Sequence, residues 1–375
     1  MLSLLKKSPQ TSMGSKGKRI AIKIGSNVIS RKDGKLNLAQ MAHLVDQMTT
    51  LMQQGHEVVL ISSGAVAAGR GEFKPVKKTD IVIYKQICSA IGQVRLMNRY
   101  YDYFGTYDVQ CAQVLTTKES FADRQHYLNM KSSMNAMLEQ GILPIVNEND
   151  TIAITELMFT DNDELAGLMA TMLDCDSLLL LSNIDGIFDG HPEDAESRVI
   201  PEVDEQDLSP FIQSEGSSLG RGGMQSKIST AKKTADQGID VFIANGTRQD
   251  IITDLINGKE NTISTHFVPS EKKSKSIKKW LAHSKSFVKG RVIINQGARD
   301  ALLNEHQANS LLCVGITAIE GAFQKADLVE IFTEDGDLIG LGKAQYESEK
   351  LKPMLGSPQK KPFIHYDYLH LETNS

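Results

Sequence analysis

From Arg19 to about His266, short β-branched and aliphatic runs alternate with longer segments of helical period, and this alternation constrains the fold more than any other feature. Strands joined through helix-length crossovers run parallel and lie between helical layers. "EVVLIS" (57–62), "ILPIV" (142–146), "DSLLLLS" (176–182) and "DVFIAN" (240–245) are apolar without alternation, as strands covered on both faces should be. Between them, "LAQMAHLVDQMTTLMQQG" spaces Leu38, Met41, Leu44, Val45, Met48, Leu51 and Met52 at the 3.6-residue period and stops at Gly55. "DRQHYLNMKSSMNAMLEQG" repeats the device and ends at Gly141. The reading is a three-layer αβα sandwich around a mostly parallel sheet, with these Met and Leu stripes as its core.

The remaining segments divide the chain. Residues 1–17 lack the apolar core of a signal peptide and read as a disordered extension. Residues 18–268 hold the βα pattern, and the lysine- and serine-rich stretch at 269–285 reads as a linker. Over 286–365 the pattern becomes all-β, with "EDGD" (334–337) as a hairpin turn, which predicts a small β-barrel. No run is long and apolar enough for a membrane span. A net charge of −5 argues against nucleic acid as the main partner, so RNA is not expected. Four scattered cysteines, Cys88, Cys111, Cys175 and Cys313, suit a reducing cytoplasm and make neither a disulfide framework nor a metal site.

In an open α/β sheet the ligand lies beyond the carboxyl ends of the strands. The segments expected there are "KIGSN" (23–27), "SSGAVAAG" (62–69), "NENDT" (147–151) and "SNIDG" (182–186), all small, polar or acidic. Each has a plain alternative: serine caps and tight packing for "SSGAVAAG", an Asx turn for "NENDT", and a capped helix start for "FTDNDELAG" (159–167). Lys23, inside the apolar "RIAIKI", either snorkels to solvent from an edge or faces an anion. In "SSLGRGGMQSK" (217–227), glycines precede a helix with Lys227 one turn inside, an arrangement suited to phosphate. The P-loop pattern G-x-x-x-x-G-K-[ST] is absent. Two distant lysines and an acidic loop point to phosphoryl transfer by charge stabilisation, and a carboxylate acceptor, already ionised at neutral pH, would need no general base.

"AIKIGSNVI", "ISSGAVAAG", "ILPIVNENDT", "FTDNDELAG" and "GRGGMQSKISTA", in this order, resemble the amino acid kinase family, in its glutamate-phosphorylating branch. "QGARDALLNEHQANSLLCVGITAIEGAFQKADLVEI" resembles the PUA domain appended to many of those enzymes. The resemblance implies ATP- and Mg²⁺-dependent phosphorylation of the L-glutamate side chain, the first step of proline biosynthesis. It implies Lys23 and Lys227 at the transferring phosphoryl group, with Asp163 holding them. Ser63, Gly64, Asp150 and Asn162 would bind glutamate, with Asp161 supporting their loop. Gly25, Ser182, Asn183, Arg221, Gly222, Gly223, Met224, Gln225 and Ser226 would join the two lysines around the nucleotide. Relatives commonly carry Thr-Asp where this chain has Ser182-Asn183, which removes a negative charge there. Kinship further implies proline as a feedback inhibitor, a homo-oligomer, and a separate glutamyl phosphate reductase to consume the product.

Overall fold

In β1 (Arg19–Ile24), Ile20, Ile22 and Ile24 point to one face of the sheet and Ala21 and Lys23 to the other, because successive strand side chains alternate. In the computed structural model this strand is central. It pairs in parallel with β2 (Glu57–Ser62) and β5 (Ser177–Ser182), so Lys23 lies level with Ile61 and Leu180. The eight-stranded sheet runs β3 (Cys111–Thr116), β4 (Leu143–Glu148), β2, β1, β5, β7 (Asp240–Asn245), β8 (Thr265–Phe267) and β6 (Glu202–Val203). Only β8 and β6, at one edge, oppose the common direction. The structure describes residues 17–371 apart from 32, 78, 123, 153–160, 192–193, 195, 204–220, 271–287, 304–308 and 360. The extension at 1–17 and the linker at 269–285 thus lie almost wholly outside the described residues.

Each face of the sheet carries its own core. Ile20, Ile22, Ile24, Leu60 and Leu179 pack with Met41, Leu44 and Met48 of α2 (Leu38–Gln53) and Leu96 and Tyr100 of α4 (Ile81–Gly105). Ala21, Ile61, Leu178 and Leu180 pack with Met134 of α6 (Arg124–Glu139), Leu165 and Met169 of α7 (Asn162–Met172), and Ala231 of α8 (Arg221–Ala235). Complete burial of a Leu or Ile side chain contributes roughly 1.5–3 kcal/mol, so these layers can carry a buried polar cluster on one face. Gly55 and Gly141 follow their helices at φ +90 and +72, left-handed values that suit a glycine after a helix end. Leu38, at the start of α2, is 42% exposed and leaves the stripe.

The second sheet, of five strands, runs β10 (Ile316–Gly321), β9 (Val288–Ile294), β11 (Leu328–Thr333), β12 (Leu338–Lys343) and β13 (Leu369–Leu371), around a separate core. Its β11–β12 hairpin turns at 334–337, with Gly336 at φ +90. The expectation of an all-β segment is corrected by the helix α10 (Gln296–Leu303), where Asn295 Oδ1 caps Ala298 N–H at 2.9 Å. Ala298 and Leu302, one turn apart, pack that helix on the sheet's core.

Candidate active site

Lys23 is 4% exposed, which rules out the snorkelling alternative. Alternation in β1 turns its side chain towards α7 and α8, and both helices answer it. Asp163, in the first turn of α7 and fully buried, places Oδ1 2.5 Å from Lys23 Nζ. Its Oδ2 accepts a hydrogen bond of 2.7 Å from Lys227 Nζ of α8. Both contacts are ion pairs, and the one to Lys227 is a hydrogen bond as well. Burial alone would drive the Asp163 carboxyl upwards, but the charges of Lys23 and Lys227, with the hydrogen bond from Lys227, overcome it and hold the group below its ordinary value.

The start of α7 builds the rest of this corner. Asp161 is the N-cap, accepting from Asp163 N–H at 3.0 Å and Glu164 N–H at 3.1 Å. The capping alternative therefore holds for Asp161, while Asn162 and Asp163 turn inwards. Burial, with Asp163 beside it, raises the Asp161 carboxyl, opposed by a hydrogen bond from Ser226, the Glu164 backbone and the Lys23 charge. Asn162 Nδ2 reaches Ser63 Oγ at 2.9 Å and Asn147 Oδ1 at 3.0 Å, joining α7 to β4 and to the loop after β2.

That loop is shaped by Gly64 at φ +107, which precedes α3 (Ala65–Arg70). No side chain caps α3, so the expected serine cap is absent; Ser62 Oγ instead lies 2.8 Å from the Tyr100 hydroxyl. In "NENDT", β4 continues through Glu148 and the Thr151 hydroxyl bonds Asn149 Oδ1, so the turn begins later than expected. Asp150 accepts from Ser89 Oγ at 2.6 Å; burial raises its carboxyl and this hydrogen bond opposes the rise. Beside it opens a cavity of about 290 Å³ lined by Ser89, Gln93, Gln113, Asn149, Asp150 and Thr151.

The expected nucleotide residues scatter more. Gly25 N–H bonds Leu181 O at 3.0 Å, and a Cβ on Gly25 would stand 3.7 Å from Lys23 Nζ. Ser182 Oγ accepts from Ile184 N–H at 3.3 Å; Asn183 is exposed. α8 begins at Arg221, so Gly222 and Gly223 lie in its first turn rather than before it, and Lys227 sits deeper in the helix than expected. The first helical turn has N–H groups without intrahelical acceptors, where glycine is least costly. Residues 217–220 lie outside the described residues. In α8, Met224 packs against the core, Gln225 is exposed and Ser226 bonds Asp161.

Sequence reasoning missed Ser89 and Gln93 and gave Asn147, the first residue of "NENDT", no role of its own. Asn147 Nδ2 donates to Gln93 Oε1 at 2.8 Å, and both are buried. The available signal was Ser89 and Gln93 at i and i+4 of an amphipathic helix, two polar residues on its apolar face. Also unforeseen was the clamp on "SNIDG": Arg248 donates twice to Asp185, at 2.7 and 2.8 Å, and Asn245 donates at 2.9 Å, which together lower the Asp185 carboxyl.

Two ammonium groups sharing one carboxylate leave excess positive charge at the carboxyl ends of β1 and β5, where an anion would be held by charge and by the small loops around it. Residues 18–245 match the family model described as the amino acid kinase family. The chain belongs to the amino acid kinase family. Residues 290–362 match the PUA domain, so this amino acid kinase carries the second sheet as a PUA domain. A protein named Glutamate 5-kinase from Bacteroides thetaiotaomicron is 52% identical over 94% of this chain and 98% of its own length. Another of that name from Chlorobaculum tepidum is 47% identical over 94% of this chain and 97% of its own. The solved structure of carbamate kinase from Giardia lamblia bound to AMP-PNP superposes with a TM-score of 0.50 at 15% identity, over 68% of this chain and 99% of that one, a likeness of fold alone. Among the described residues of this amino acid kinase, no helix is long and apolar enough to cross a membrane.

Proposed function

We propose that this amino acid kinase transfers the γ-phosphoryl group of ATP to the side-chain carboxylate of L-glutamate, giving ADP and L-glutamyl 5-phosphate, the first step of proline biosynthesis. The observation that carries the reading is Asp163 held between Lys23 and Lys227, in a chain 52% identical to a glutamate 5-kinase over nearly all its length.

The acceptor carboxylate is the nucleophile and is ionised at neutral pH, so its attack on the γ-phosphorus requires no proton removal. As the phosphoryl group moves, charge on its oxygens and on the leaving ADP is met by the Lys23 and Lys227 ammoniums. Asp163 is a positioning residue that keeps both ammoniums charged and converged. Asn162 and Ser63, joined by a hydrogen bond, and Gly64 and Asp150 bind glutamate; Asp161 fixes the start of α7 beneath them. Gly25, Ser182, Asn183 and the first two turns of α8, residues 221–227, flank the nucleotide.

Mg²⁺ would be carried on the nucleotide, where it would supply charge neutralisation of the phosphates. Asp163 is committed to two lysines and Asp161 to backbone N–H groups, so the residues fit phosphates better than a protein-held cation, and a magnesium ion is ordinarily carried on the phosphates with few protein ligands. Residues 18–268 would form the catalytic domain and 286–365 the PUA-like domain, in a cytoplasmic homo-oligomer. Proline, sharing the α-amino acid group, would compete at the glutamate site, and glutamyl phosphate reductase would consume the product.

ADP release is to be measured with glutamate, acetylglutamate, aspartate and UMP as acceptors, with hydroxylamine trapping of the acyl phosphate. Turnover with glutamate is expected; strong turnover with acetylglutamate and none with glutamate would refute the proposal.

A further inference from the structure

Gln93 lines the 290 Å³ cavity, and the polarity of its amide is readable from one backbone group. The Glu148 N–H can only donate, and it lies 2.9 Å from Asn147 Oδ1. Asn162 Nδ2 donates to the same oxygen. Asn147 therefore turns its NH₂ to Gln93, and the Gln93 atom 2.8 Å away must be the oxygen. The other end of the Gln93 amide is then an NH₂ group. It is buried and has no hydrogen-bond partner among the described residues, in a side chain only 8% exposed that lines the cavity. A native interior rarely leaves such a donor unmet, because its desolvation is then uncompensated.

We propose that Gln93 Nε2 binds the α-carboxylate of the amino-acid substrate and makes a free α-carboxylate a condition of acceptance. This rests on the glutamate kinase reading above. The reacting carboxylate belongs beside Lys23 and Lys227, and neither lysine lines this cavity. Two hydrogen-bonded steps, Gln93 to Asn147 and Asn147 to Asn162, separate Gln93 from the neighbour of Asp163. The acceptor that meets Gln93 is therefore at the substrate's other end. Asp150, lining the same cavity, supplies the negative charge that suits the adjacent α-ammonium. Ser89 and Gln93 lie one helical turn apart on α4, one holding Asp150 and the other meeting the carboxylate.

Gln93→Glu is isosteric, keeps the oxygen that accepts from Asn147, and replaces the free donor by an acceptor. Its kcat and KM are to be compared with wild type for glutamate and for isoglutamine, the α-carboxamide that retains the reacting side chain. The KM for glutamate should rise about tenfold or more, the loss expected for a hydrogen bond to a charged group, with kcat nearly unchanged. The wild-type preference for glutamate over isoglutamine should shrink by a similar factor. Gln93→Met, which removes the donor without adding charge, should shrink that preference too, and serves if the glutamate variant does not fold. An unchanged preference in the folded variants overturns the inference, since a purely structural role would move both substrates alike. A wild-type enzyme with no glutamate-dependent turnover overturns the kinase reading and the inference with it.

Discussion

Replacing Lys23 by methionine removes one unit of positive charge from the two ammoniums that share Asp163. What is left is one ammonium neutralised by Asp163, with no excess to meet the transferring phosphoryl group. A unit charge about 4 Å from a phosphoryl oxygen, at an effective dielectric constant of about 20, is worth about 4 kcal/mol. If that energy is realised only in the transition state, kcat falls by about a thousandfold. The fold should tolerate the change, because Asp163 retains its 2.7 Å hydrogen bond to Lys227 and methionine fills most of the space of the lysine stem. The assay is ADP release at saturating ATP and glutamate, beside a thermal melt of the same preparation. A kcat within about tenfold of wild type, or a loss confined to KM, would refute the charge argument.

Asp163→Asn should behave oppositely, losing about 3–5 kcal/mol of stability in urea unfolding because two buried ammoniums lose their counter-charge. The folded carboxyl lies below its ordinary value, so its stabilisation is present above the unfolded value and is lost as pH falls through the folded one; the gap between variant and wild type should narrow on acidification below about pH 4. Ser89→Ala removes the bond that favours ionised Asp150, so the acid limb on which the glutamate KM rises should move to higher pH; superimposable KM–pH curves would contradict the assigned role. A Cβ on Gly92 would lie 1.8 Å from Ala65 O and 2.5 Å from Gly69 N. Gly92→Ala should therefore displace α3, costing at least about 1–3 kcal/mol in melting experiments and raising the glutamate KM; a variant with wild-type melting and KM would show that α3 yields without cost.

Strands β2, β4, β5 and β7 were legible because they are interior and covered on both faces, which makes them continuous apolar runs. β3 was not, because it lies at the sheet edge: Cys111 and Thr116 are buried while Gln113 and Leu115 are exposed, so no apolar run marks it. α10 was hidden by its surroundings, a helix of eight residues inside a strand-rich segment. Within the site, "NENDT" and "FTDNDELAG" were visible as dense polar loops, while the division of labour inside each came from the family resemblance and not from their own pattern. Asp161 caps, Asn162 bridges and Asp163 pairs with lysines, three roles for adjacent residues set by which way the first turn of α7 faces.

What the sequence determined alone is therefore local and periodic. It includes the strand–helix alternation, the helix stops at Gly55 and Gly141, the polar loops after the apolar strands, and Lys23 as an anomaly in one of them. What only the tertiary structure decided is convergence. Lys23 and Lys227 lie about two hundred positions apart, and no local pattern says that they share one carboxylate. Parallel pairing puts β1 at the sheet's centre, alternation turns Lys23 to the α7–α8 face, and burial there makes an unpaired ammonium costly enough that Asp163 must meet it. The polarity of Gln93 is of the same kind, fixed through Asn147 by a backbone N–H more than fifty residues away.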